Sequence, residues 1–355
     1  MLKLLKNLLT QCRGIISKEI MVGKKKIDVL NVGDIVTDAF IKLIDEYGRV
    51  EDAPDGRRLS LPFSTKIPFD HVEVLDAVGN SSNTAVNFAK LGLNSSFVTN
   101  VGDDQAGRDM VAALQRKGVD TRFVKVNAGK NSNYHYVLWY GDERTILIKH
   151  EKYDYHWPKF HPDELPEWVY FSSISEGALE YHDDLAQWLE DNPQIKLAFQ
   201  PGTFQLLAGT ERLKRIYQRT EIFAVNFEEA QQILNTTTRD IHELFNGLHA
   251  LGPKIVVITD GPNGSYASDG SSRFKVPIYP DPAAPVERTG CGDAYTSTFV
   301  AAIIKGYPLE GALQWAPITP TNVVQHVGAQ EGLLSEETLK EWLAKAPDWY
   351  KVERI

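Results

Sequence analysis

The chain has 355 residues, 43% hydrophobic and 24% charged, with a formal net charge of −9. That balance is ordinary for a packed globular protein and argues against a nucleic-acid partner, because no basic run tracks a phosphate backbone; any anionic ligand must be held by local cations against the overall field. The cysteines, Cys12 and Cys291, are too far apart in sequence to suggest a disulfide framework or zinc site, and no apolar run reaches the ~18–20 residues of a membrane span, so a cytoplasmic protein is expected.

In chain order, the first segment is basic and amphipathic. Leu2, Leu5, Leu8, Leu9, Cys12, Ile15 and Ile16 recur at helical spacing between Lys3, Lys6, Arg13 and Lys18, which predicts an extension over 1–26. A strand over 29–32 then runs into Gly33, Asp34 and Asp38. Residues 40–76 are short, apolar and turn-rich. A helix is expected over 82–91, a strand over 96–101 and a helix over 104–117. The segment 122–150 reads as β, with Tyr134, Tyr136, Leu138 and Tyr140 alternating against His135, Val137 and Trp139, and a turn at Gly141-Asp142. Strands at 168–172, 196–200, 222–225 and 255–259 follow, separated by helical periodicity, and 339–355 closes the chain as a helix with a polar end. This alternation predicts an α/β protein with a mostly parallel sheet covered on both faces, whose ligands bind beyond the carboxyl ends of the strands.

The stretch Glu287-Arg288-Thr289-Gly290-Cys291-Gly292-Asp293 leads directly into the helix-forming Thr298–Ile304 run. Closely spaced glycines let backbone N–H groups approach an anion, and the first turn of a helix adds unpaired donors and a positive dipole end. An Asp at that mouth is placed to take a proton from an attacking hydroxyl. Taken alone, the pattern is also compatible with a tight loop and an Asp cap.

The stretch resembles the D-T-x-G-A-G-D signature of the ribokinase-like (PfkB) carbohydrate and nucleoside kinases, with Glu287 in place of the family Asp and Cys291 in place of the family Ala. Further blocks agree in order: Gly33-Asp34 with Asp38, Gly79–Gly92 leading to Val101–Gly107, Asn226-Phe227-Glu228-Glu229, and Thr259-Asp260-Gly261-Pro262-Asn263-Gly264. The resemblance implies a three-layer α/β/α ribokinase-like fold over 27–335, with lid segments about 40–76 and 122–150 that often form a homodimer interface, and a C-terminal helix and tail over 336–355. It implies an ATP- and Mg²⁺-dependent kinase acting on a sugar, or alternatively a nucleoside, with lid aromatics such as Tyr134 or Tyr136 stacking a base. A sugar phosphate would need a cation such as Arg288 or Arg144.

By the same resemblance, Asp293 is the general base, and Gly290, Cys291 and Gly292 supply backbone donors to the transferring phosphoryl group. Asp34, Asp38, Gly79, Asn80 and Asn83 bind the acceptor; Asn226, Thr259, Gly261, Gly264 and Asn322 bind ATP. Glu229 orders Mg²⁺ through water, and Glu287 lies at a monovalent-cation site, which would take K⁺. Cys291 reads either as a thiol activated by the helix N-terminus or as an inert buried one. The histidines show no metal-ligand spacing.

Overall fold

The computed structural model describes residues 26–355 apart from Asp55 and Asp142. The amphipathic extension, with Cys12, lies outside the described residues.

The main sheet contains β1 (Val29–Val32), β6 (Ser95–Gly102), β7 (Val124–Asn127), β10 (Trp168–Phe171), β11 (Lys196–Phe199), β12 (Thr220–Asn226), β13 (Ile255–Thr259), β14 (Ser265–Ser268), β15 (Arg273–Val276) and β16 (Glu353–Arg354). Its order is β16-β15-β14-β13-β12-β11-β10-β1-β6-β7, parallel from β13 through β7 and antiparallel from β13 to β16. Strand pleating sorts the core into layers. Leu30, Val32, Val169, Phe171, Phe223 and Val225 pack with helices Leu179–Asp191, Phe227–Leu234 and Ile241–Ala250. Their strand neighbours Val29, Trp168, Tyr170, Ile222 and Ala224 point to the opposite face, against helices Asn80–Lys90, Cys291–Ile304 and Leu309–Trp315. Both faces of the parallel strands are therefore covered, which explains why these strands read as apolar runs.

The smaller sheet holds β2 (Val36–Leu43), β5 (Phe69–Val78), β8 (Tyr134–Tyr140) and β9 (Glu143–Leu147) in the order β5-β2-β8-β9, and β3 (Arg49–Ala53) pairs with β4 (Gly56–Ser60) as a separate hairpin. Two sequence boundaries shift. Residues 124–127, expected in the lid, pair with β6 and extend the main sheet, and the polar chain end returns as β16 on the opposite edge. Short edge strands carry little of the periodicity that marks buried ones.

The helix Asn80–Lys90 lies against Cys291–Ile304. Asn87 locks this contact, its Nδ2 donating to Ser297 Oγ at 2.7 Å and Thr298 Oγ1 at 3.0 Å. With Asn87 fully buried, this bond set fixes the register between the two helices that carry the candidate chemistry.

Candidate active site

Two cavities open at the carboxyl ends of the parallel strands. The first, about 400 Å³, is lined by Asp38, Gly79, Asn80, Asn83, His135, Gln200, Asn226, Glu229 and Asp293, with Val36, Phe40, Leu75 and Ile146 as its apolar wall. The second, about 460 Å³, is lined by Gly261, Gly264, Pro277, Ile278, Tyr279, Tyr295, Pro320 and Val324. Thr259, Arg288, Cys291 and Gly292 line both. The start of the helix Cys291–Ile304 is thus the seam between a polar chamber and a more apolar one.

Gly290 caps that helix with φ +77°, and a Cβ there would come within 2.2 Å of Ala329 Cβ, so only glycine fits. Gly292 differs: the nearest atom to an added Cβ is Gln200 Nε2 at 3.8 Å. Packing does not require glycine at 292, and a side chain would instead fill space at the seam. The backbone N–H groups of Cys291 and Gly292, in the unpaired first turn, are left to serve a ligand there.

Asp293 sits one residue further, 5% exposed, on the polar side. Its Oδ2 accepts from Asn83 Nδ2 at 2.8 Å, and its Oδ1 accepts from Asn80 Nδ2 at 3.0 Å and Gln200 Nε2 at 3.4 Å. Burial pushes its pKa up to about 6, against the pull of the Asn83, Asn80 and Gln200 amides. A carboxylate poised there is ionised at neutral pH and still basic enough to take a hydroxyl proton.

Asp38, on β2, projects into the same chamber with its Oδ1 3.1 Å from His135 Nδ1 on β8. Asp34 does not line the chamber. Its Oδ1 accepts from Tyr155 Oη at 2.7 Å and its Oδ2 from Ser175 N at 2.8 Å, so it fixes the loop beyond β1 and its carboxylate is committed to protein donors. Val78 and Gly79 both line the chamber.

Asn226 and Glu229 form a reciprocal capping box, Asn226 Oδ1 accepting from Glu229 N at 2.8 Å and Glu229 Oε2 from Asn226 N at 2.9 Å. The cap consumes one oxygen of each. Asn226 Nδ2 and Glu229 Oε1 have no hydrogen-bond partner among the described residues, and both residues line the first cavity. Burial raises the Glu229 pKa. These free atoms, with water, fit a hydrated divalent cation. Asn322 departs from expectation. Its Nδ2 donates to Gly332 O at 2.8 Å and it lines neither cavity, while its neighbours Pro320, Thr321 and Val324 line the second.

Glu287 is engaged from the lid. Its Oε1 is 2.6 Å from Arg144 Nη1 on β9 and accepts from Thr289 N at 2.7 Å; its Oε2 is buried with no hydrogen-bond partner. The Cys291 thiol sits in surroundings that oppose its ionisation. Burial pushes its pKa up to about 11, with Glu287 adding to the rise, which favours the inert reading over the activated one. The lid alternation also turned out opposite to the stacking expectation: His135, Arg144 and Ile146 line the chamber, whereas Tyr134 and Tyr136 do not, and Tyr136 is 50% exposed.

Gln200 and Gln330 belong to none of the motif blocks above, and His135 enters there only as a lid position without metal-ligand spacing. Gln200 directly follows β11, the same position rule that drew attention to Asn226, and could have been found by it. Gln330 lies in an irregular loop with no local signal.

Residues 71–336 match the profile described as pfkB family carbohydrate kinase. The chain belongs to this family. It is accordingly a phosphotransferase acting on a hydroxyl of a sugar or nucleoside, and the expected ribokinase-like fold is the one observed. The ATP-dependent 6-phosphofructokinase of Thermoanaerobacterium thermosaccharolyticum is 24% identical over 346 residues, covering 91% of this chain and 95% of that protein. The Arabidopsis thaliana ribokinase complexed with ribose and ATP superposes with a TM-score of 0.72 at 20% identity, covering 90% of this chain and 99% of that one. The Methanocaldococcus jannaschii nucleoside kinase gives a TM-score of 0.70 at 20% identity, covering 91% of this chain and 100% of that one. No helix among the described residues is long and apolar enough to cross a membrane.

Proposed function

We propose that this PfkB-family kinase transfers the γ-phosphate of ATP to a hydroxyl of a ribose- or fructose-like sugar. The seam carries the reading: the helix start at Cys291-Gly292 faces both cavities, and Asp293 faces only the polar one. ATP fits the second cavity, whose Pro277, Ile278, Pro320 and Val324 suit a base and whose Gly292 end leaves room for phosphates. Mg²⁺ fits beside Asn226 and Glu229, where it would neutralise phosphate charge when bound. Asp38, Asn80 and Asn83 align adjacent sugar hydroxyls, Asp293 accepts the proton of the attacking one, and the Cys291 and Gly292 N–H groups stabilise the charge that develops on the phosphoryl oxygens.

A sugar is preferred to a nucleoside because the chamber wall offers Phe40 but neither Tyr134 nor Tyr136 for stacking. One observation favours a sugar phosphate as the second reading: Arg288 lines both cavities and has no ion pair among the described residues. The name of the phosphofructokinase relative points the same way. Potassium remains part of the reading through the buried, unpartnered Glu287 Oε2. A second copy of this chain fits the outer lid face, where Val72, Val74, Tyr136 and Leu147 are 47%, 52%, 50% and 52% exposed.

The test is ATP consumption against ribose, fructose, fructose 6-phosphate and adenosine, in potassium and in sodium. The proposal expects a free sugar to give the highest kcat/KM and Asp38→Ala to raise the KM for that sugar while leaving the KM for ATP unchanged. Preference for adenosine, or an Asp38→Ala effect confined to ATP, overturns it.

A further inference from the structure

A directed chain of hydrogen bonds runs from the protein surface to the catalytic carboxylate. Lys117 Nζ donates to Gln330 Oε1 at 2.7 Å, Gln330 Nε2 donates to Asn83 Oδ1 at 2.9 Å, and Asn83 Nδ2 donates to Asp293 Oδ2 at 2.8 Å. Gln330, Asn83 and Asp293 are 8%, 4% and 5% exposed, whereas the Lys117 side chain is 33% exposed.

The direction follows from chemistry. An ammonium only donates, so Lys117 selects the oxygen of Gln330 and turns its NH₂ inward. There Nε2 also donates to Ala77 O at 2.7 Å, a second bond that a flipped amide would lose. With Gln330 so oriented, Asn83 must present Oδ1 to it and Nδ2 to Asp293; the flipped Asn83 would set its carbonyl oxygen against the carboxylate. Aligned bonds in a buried site polarise one another, positive end at the lysine and negative end at the aspartate.

We propose that Lys117 and Gln330 are positioning residues of the phosphoryl-transfer reaction, acting through Asn83 to orient Asp293 and keep it ionised for proton acceptance. Neither residue touches the chamber's reacting groups. Lys117 is also 3.7 Å from Glu331 Oε1, a longer contact on its solvent side. Asp38, His135, Glu229, Arg144 and Arg288 line the same chamber as Asp293, and two further titratable groups lie beside it: Tyr170, whose hydroxyl donates to Gln200 Oε1, and Cys291. Burial raises both, so neither changes charge on the acid side of neutrality.

This inference rests on Asp293 being the base. The test measures kcat, both KM values and the pH profile from about 5 to 8.5 for Lys117→Met, Lys117→Arg and Gln330→Glu, with ATP and D-ribose or the better acceptor from the panel above, alongside melting temperatures. Loss of the ordered donor should lower kcat of Lys117→Met about three- to tenfold and move the acid limb up by roughly half to one pH unit, with the KM for ATP unchanged. Gln330→Glu, which removes the inward donor, should lose more, and Lys117→Arg should restore both rate and limb. The chain carries no such role if Lys117→Met and Gln330→Glu keep the wild-type limb, or if they lose rate only together with melting temperature and ATP affinity. Asp293→Asn separates the two ideas: an active Asp293→Asn removes the base, whereas an inactive one beside an unshifted Lys117→Met removes only the relay.

Discussion

Arg144 Nη1 on lid strand β9 lies 2.6 Å from Glu287 Oε1, on the loop that becomes the helix Cys291–Ile304. Glu287 in turn holds the backbone N–H of Thr289 at 2.7 Å. Strand β9 is therefore fastened to the same loop that leads into the backbone N–H groups of Cys291 and Gly292.

Arg144→Ala should weaken that link. The guanidinium is 32% exposed and the carboxylate 9%, so the loss falls between a surface and a buried pair, about 1–2 kcal/mol, or roughly five- to thirtyfold in kcat/KM for the acceptor. Steady-state kinetics with each substrate varied provide the check. An unchanged acceptor kcat/KM would mean the contact does not hold the lid during turnover.

Asp293→Asn should lower kcat by about 10²–10⁴-fold while calorimetry shows ATP binding intact, because the backbone donors and the second cavity are untouched. A variant retaining more than about a tenth of wild-type kcat removes Asp293 from the base role.

The rate should also fall as pH drops through about 6, where burial holds the Asp293 carboxyl, rather than through the usual range near 4. The sign follows from chemistry: the base works ionised, so the raised pKa moves the acid limb upward. A kcat/KM profile flat down to pH 5 would contradict the burial-driven rise.

Gly290 and Gly292 should separate fold from function. Gly290→Ala collides with Ala329 and sits at φ +77°, so it should lower the melting temperature, at a cost of about 1–3 kcal/mol. Gly292→Ala meets nothing closer than 3.8 Å; melting should stay level or rise while kcat drops, since the methyl group would fill the space at the seam proposed for the phosphoryl group. Equal kcat for Gly292→Ala and wild type would place the phosphoryl group elsewhere.

On the proposed reading Cys291→Ala should keep most activity, because the substitution leaves the backbone N–H in place. With its thiol near 11, Cys291 should alkylate slowly at pH 7.5 and faster with each unit toward 10, as followed by mass spectrometry of the intact protein. Rapid alkylation at neutral pH would show that the helix N-terminus outweighs burial.

The α/β alternation, the strands β1, β10, β12 and β13, and the helix that starts at Cys291 are legible in the sequence because both faces of these strands and most of that helix are buried, so their apolar pattern is dense. Gly290, Gly292 and Asp293 are legible from their spacing before a helix, and Asp38 and Asn83 through the family resemblance; all five line the first cavity. Which polar side chains share a partner emerges from the folded chain. Asp34 and Asn322 lie beside the right motifs yet spend their polar atoms on Tyr155, Ser175 and Gly332, and Glu287 meets a lid arginine 143 positions away. Gln330 reaches Asn83 across 247 positions from a loop with no periodicity. Periodicity reports which face a residue presents to the core, whereas hydrogen-bond partnership depends on where distant loops come to rest.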